Sequence, residues 1–202
     1  AIPRLRTYQL SEVPRALSED DAQKTLGGID RTTPVGRRDF ALILMLYTYG
    51  VRGGQLRALR LQDIEWRQNR IRVPAAKGGK EMVLPLTEAV GESVLEYLYH
   101  ARPQVPYLEV FLTAQPPFRP LQAPALSCMV AQRMHEADVH PPRAGSHGFR
   151  HGFATRMLQN GQSLKAIADL LGHRHLNTTF IYTKVDLAAL HQLPLEWPEV
   201  SP

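Results

Sequence analysis

The chain has 202 residues, enough to bury a core and ordinarily one domain, and 44% of them are apolar. Its longest apolar run, Phe40 to Tyr49, is about half the roughly twenty residues that a bilayer span needs, so no membrane helix is expected. The start, AIPRLRTYQLSEVPRAL, lacks the apolar core of a secretory signal. A net charge of +5 is modest, but it is concentrated: residues 50 to 80 and 141 to 184 are strongly basic, whereas 85 to 140 and the residues after 185 are acidic. Two basic segments in one chain point to a polyanionic partner.

In chain order, Ser18 before EDDAQKTL predicts an N-cap and an acidic first turn, opening a helix that ends at Gly27-Gly28. Arg38 to Tyr49 reads as a buried central helix stopped by Gly50. Arg52 follows at once, and Gly54 to Leu61 reads as a short helix turning Leu56, Leu59 and Leu61 inward. Arg52 would then sit at a rigid junction. Residues 70 to 86 alternate apolar and polar on both sides of Lys77-Gly78-Gly79-Lys80, the pattern of a β-hairpin with Lys77 at its tip. Thr87 to Ala101 predicts an amphipathic helix, and the Pro-rich stretch from 103 to 124 a loop with a short strand at Val110 to Leu112. Helix resumes from 122 to 137. It contains the only cysteine, Cys128, expected as an inert buried thiol and in keeping with a reducing cytoplasm. Ser146 is expected to cap a helix ended by Asn160-Gly161, Ser163 a helix running to Leu171, and a last short helix from 177 to 184 carries Tyr182.

The chemistry is concentrated in SHGFRHGFATRML (146 to 158) and LGHRHLNTTFIYTKV (171 to 185). Residues three apart share a helix face, so His147 and Arg150, near a helix N-terminus with its free amides, would address one anion, most simply a phosphate. Tyr182, nine residues after His173, is the candidate nucleophile. His147 and His151 stand four apart, but the metalloprotease pattern needs glutamate after the first histidine and Gly148 stands there, so no metal site is expected. Each residue has a plainer reading: Arg52 as a surface cation, Lys77 and Lys80 as turn lysines, Tyr182 as a packing residue. Six such readings would have to coincide.

In their order and intervals these segments resemble the tyrosine recombinases, or phage integrases, from Leu17 to about Leu190. GVRGGQLRALRLQDIEW is similar to that family's first arginine box, KGGKEMVLPL to its lysine hairpin, HGFRHGFAT to its H-x-x-R box, and LGHRHLNTTFIYTKV to its final box with histidine and nucleophile. The resemblance implies a mainly α fold with a small β-hairpin or sheet (α+β). It implies that Arg52, Lys77, His147, Arg150 and His173 surround a scissile DNA phosphate that Tyr182 attacks, giving a 3′-phosphotyrosyl link without metal, ATP or other cofactor. His151 would support the cluster, with Arg57, Arg60, Lys80 and Arg174 as further DNA contacts. Where the family usually places an acidic residue three positions after its first arginine, this chain has Gln55. On sequence grounds Gln55→Glu is expected to leave or raise the cleavage rate.

The implied organisation is a linker at 1 to 16 from a missing N-terminal DNA-binding domain, a catalytic domain at 17 to 185, and a tail at 186 to 202. Leu187, Leu190, Leu193, Leu195 and Trp197 in that tail would pack on a neighbouring subunit or fold back. The implied partner is double-stranded DNA, bound as a homotetramer by the full-length protein, with this piece alone monomeric, and the implied location is the cytoplasm, with the prokaryotic nucleoid. A cleavage-deficient DNA-binding relative and a topoisomerase-like enzyme without strand exchange are the alternatives.

Overall fold

The structure is a computed structural model that describes residues 17–75, 81–141 and 145–171. It contains α1 (Glu19–Gly27), α2 (Pro34–Tyr49), α3 (Gly53–Ala58), β1 (Ile64–Glu65), β2 (Arg70–Val73), β3 (Met82–Pro85), α4 (Glu88–His100), α5 (Ala123–Glu136), α6 (Ser146–Gln159) and α7 (Leu164–Leu171). The α+β expectation therefore holds.

Helix α2 is the axis of the core. Its side chains Leu42, Ile43, Met45 and Leu46 are at most 1% exposed, and α4 and α6 pack against it. It begins four residues earlier than the apolar pattern suggested. The Thr33 hydroxyl accepts from the Gly36 amide and Pro34 supplies a pre-set first turn, a start signal independent of hydrophobicity. At the other end Gly50 is left-handed, with φ 59°, and a Cβ there would come within 2.5 Å of the Phe153 ring. Backbone conformation and packing thus both require glycine immediately before the Arg52 junction. Ser18 caps α1 as expected, its hydroxyl accepting from Asp21 N at 3.0 Å.

The hairpin strands form as read, β2 antiparallel to β3 with Ile71 opposite Leu84 and Arg72 opposite Val83. A third short strand, β1, pairs with the other edge of β2. Ile64, Ile71, Val73 and Leu84 face the core; Arg70 and Arg72 lie on the exposed face, both bonded to Glu65. The hairpin tip, with Lys77 and Lys80, lies outside the described residues. Tyr49 joins sheet to core by donating its hydroxyl to Pro85 O at 2.8 Å.

Several local expectations fail for identifiable reasons. The short helix α3 stops at Ala58, and Leu61 instead opens a 3-10 turn and is only half-buried. Val110, Phe111 and Leu112 are fully buried but form no strand; the bridge partner of Leu112 is Pro120, which has no N–H to extend a ladder, and single hydrogen bonds such as Val110 N to Leu59 O at 2.9 Å tie the segment down. Cys128 is exposed, not buried. The core stripe of α5 is Leu126, Met129, Val130 and Met134, and residue 128 falls on the opposite side of that helix.

Candidate active site

Helix α6 carries two of the expected site residues, His147 and Arg150. It starts at Ser146 rather than being capped by it: the preceding position is Gly145 at φ 105°, and no side chain among the described residues caps the helix. Ser146 lies against Gly53, where a Cβ would meet Ser146 Oγ at 2.9 Å and Leu126 at 2.7 Å, so a side chain at 53 would push α3 off the start of α6. A cleft of about 440 Å³ opens at this junction, with Arg52, Gln55, Arg57, Ala75, Ser127, Ser146 and His147 in its lining. His147 is exposed there. Arg57 gives one guanidinium nitrogen to Leu121 O at 3.3 Å. Arg60 is exposed and lies outside this lining.

Arg150 sits behind the cleft and is only 6% exposed. Its Nη1 donates to Gly50 O at 2.7 Å and its Nη2 to Leu171 O at 2.7 Å. Arg52 Nη1 donates to the same Leu171 carbonyl at 3.3 Å. Gly50 caps the end of α2 and Leu171 is the last residue of α7. A cation at a helix C-terminus is favoured by the negative end of the helix dipole. These bonds orient both arginines at the junction. The sequence separations are long, 100 residues from Arg150 to Gly50 and 119 from Arg52 to Leu171, so the fold assembles a site from three distant segments. His151 is half-buried on α6.

A second arginine fixes α6 further along. Arg156 Nη2 donates to Tyr47 O at 2.6 Å, its guanidinium carbon lies 3.9 Å from the Tyr47 ring centre, and Nη1 reaches Glu19 at 3.1 Å. Partial burial pushes the Glu19 carboxyl upward, but hydrogen bonds from Gln23 and Tyr47 together with the Arg156 cation outweigh it and leave the group below its ordinary value. Burial, then the bond to Glu19, raises the Tyr47 hydroxyl.

Gln55 is 3% exposed and uses both ends of its amide. Its Oε1 accepts from Arg52 N at 3.1 Å and its Nε2 donates to Pro74 O at 3.0 Å. A glutamate could keep the first bond but not the second, so this geometry argues against the expectation that Gln55→Glu leaves or raises cleavage. His173, Arg174 and Tyr182, like Lys77 and Lys80, lie outside the described residues. Sequence reading missed the carbonyls of Gly50 and Leu171, because backbone acceptors leave no residue-type signal. It also missed Ser127, an unremarkable helix residue that tertiary packing brings to the cleft.

Comparison with known proteins gives the family. A model of the phage integrase family matches residues 15–188. The chain belongs to that family. It is 44% identical to the integrase/recombinase-type protein y4rA of Sinorhizobium fredii over 199 residues, covering 98% of this chain and 48% of y4rA. It is 32% identical to tyrosine recombinase XerD of Listeria innocua over 180 residues, covering 88% of this chain and 60% of XerD. Among solved structures, XerH site-specific recombinase bound to palindromic difH substrate, a post-cleavage complex, aligns with TM-score 0.75 at 25% identity over 89% of this chain and 52% of XerH. The chain spans about half the length of the first curated relatives it matches. The integrase-type helical fold with its small sheet is thereby established, and no helix among the described residues is long and apolar enough to cross a membrane.

Proposed function

We propose that this chain is the catalytic part of a site-specific tyrosine recombinase acting on duplex DNA. The observation that carries the reading is the convergence of Arg52 and Arg150, from two distant boxes, on one carbonyl at the end of α7, beside a cleft that His147 lines. A phosphodiester under attack gathers charge on its non-bridging oxygens, and fixed guanidiniums answer that charge with paired donors that lysine cannot match. Losing one preorganised donor of this kind costs about 3 kcal/mol of barrier. Tyr182 is the proposed nucleophile. A phenol of pKa about 10 must lose its proton as it attacks, and His147 is the proposed base or its partner. Lys77 is the proposed acid for the leaving 5′ oxygen, and His173 donates to the phosphate. The transesterification conserves bond energy as a 3′-phosphotyrosine and so calls for no nucleotide cofactor.

Residues 1 to 16 are read as a linker from an upstream DNA-clamping domain, 17 to 185 as the catalytic domain, and 186 to 202 as a subunit-exchange tail in a DNA-bound tetramer. Arg57, Arg60, Lys80 and Arg174 are the proposed additional backbone contacts, which position the duplex without reading its sequence.

The test is to incubate the chain and its Tyr182→Phe variant with a random pool of nicked duplexes that trap cleavage. A denaturant-resistant protein-DNA adduct with tyrosine and none with phenylalanine is expected, and sequencing the trapped DNA identifies the site. DNA binding by both proteins without adduct from either would overturn the reading in favour of a cleavage-deficient DNA-binding relative.

A further inference from the structure

We infer that Gln55 is a positioning residue that locks the end of β2 to the arginine junction, and that glutamine rather than glutamate is needed for it. The inference rests on the recombinase reading above. Gln55 joins two walls of the cleft: Arg52 on one side and, through Pro74, Ala75 on the other. The bond to Pro74 O requires an N–H, because a carbonyl only accepts. Proline has no amide hydrogen, so Pro74 cannot itself donate to a neighbour, and its carbonyl is the group that Gln55 holds. At 3% exposure water does not readily replace the lost partner, and a carboxylate placed against that carbonyl would repel it.

The bond also stands at a sensitive place in the chain. Strand β2 ends at Val73, Pro74 follows, and Lys77, the proposed acid, comes three residues later, outside the described residues. Freeing Pro74 from Gln55 loosens the described end of the strand, and on the functional reading above the step that feels this is the one assigned to Lys77. The Arg52 side is untouched by a glutamate, whose carboxylate still accepts from Arg52 N. Gln55→Glu therefore removes one arm of the tether and keeps the other, whereas Gln55→Ala removes both.

This separation gives a readout that general destabilisation would not move. On the duplex recovered with Tyr182, single-turnover adduct formation is measured for the parent chain, Gln55→Glu and Gln55→Ala. Each is assayed with the natural 5′-oxygen leaving group and with a 5′-bridging sulfur. A thiol, with pKa near that of cysteine at roughly 8.5, departs without needing a proton. Gln55→Glu is expected to lose roughly tenfold or more on the oxygen substrate and to return to within about twofold of the parent on the sulfur substrate. The sulfur result also certifies that the variant is folded. Gln55→Ala is expected to remain slow on both. Parental rates for Gln55→Glu on oxygen, or an equal loss on both substrates, would overturn the inference. If the parent itself formed no adduct with either substrate, the functional reading would fall, a different failure from the first two.

Discussion

Two clusters of buried guanidinium lie on opposite sides of α2 in function, though both are built on that helix. Arg38, 7% exposed, donates Nε and Nη2 to the Asp39 carboxylate, which also receives Arg133 at 2.8 Å, and Arg133 goes on to Glu136. Arg150 gives its two Nη groups to the carbonyls of Gly50 and Leu171. A carboxylate orients a guanidinium and cancels its charge; a carbonyl orients it and leaves the charge in place. The first arrangement holds α2 against α5, and the second ties α6 to the ends of α2 and α7. Burial of arginine therefore does not by itself mark function.

The sharpest way to break that contrast is to remove the carboxylate. Asp39→Ala leaves Arg38 and Arg133 without the buried anion between them and is expected to cost about 3–5 kcal/mol of stability, measured by denaturant unfolding, with cleavage per folded molecule nearly unchanged. Arg150→Lys should do the reverse. One ammonium cannot span the Gly50 and Leu171 carbonyls in the same fork geometry, so cleavage should fall by about 10²- to 10³-fold while far-UV circular dichroism stays native. If Arg150→Lys unfolded the chain as readily as Asp39→Ala, the two clusters would be alike and the contrast would be lost.

The smallest effect concerns Glu19. Its folded carboxyl titrates below its ordinary value of 4.5, so its contribution is present above that value and is lost as pH falls through the folded one. The parent's melting temperature should thus decline more than that of Glu19→Gln at pH below about 4.5, and the two curves should run parallel above it.

Much of this was legible in the sequence, for physical reasons that also mark the limit. Ser18, Gly50 and the alternation across 70 to 86 act through local backbone geometry, so they announced α1, the end of α2 and the strand pair. The residue types at 52, 147 and 150 marked segments that the fold does bring together. What they did not announce was depth. His147 is exposed in the cleft whereas Arg150, three residues on, is buried behind it, because the partners that draw Arg150 inward are main-chain oxygens at the ends of other helices. Cys128 and the segment 110 to 112 misled for a related reason. Apolar composition predicts an interior place, but the face of α5 and the Pro120 partner of Leu112 decide where the side chains and hydrogen bonds go.

The pair of bonds from α6 to the end of α2 has a mechanical meaning. Arg150 grips the carbonyl of Gly50 and Arg156 that of Tyr47; the two arginines stand six residues, roughly 9 Å, apart along α6, and the carbonyls three residues apart at the end of α2. One fastener would permit α6 to swivel; two at that spacing resist both rotation and sliding. Helices α2 and α6 then behave as one chassis, on which the Arg52 junction is mounted.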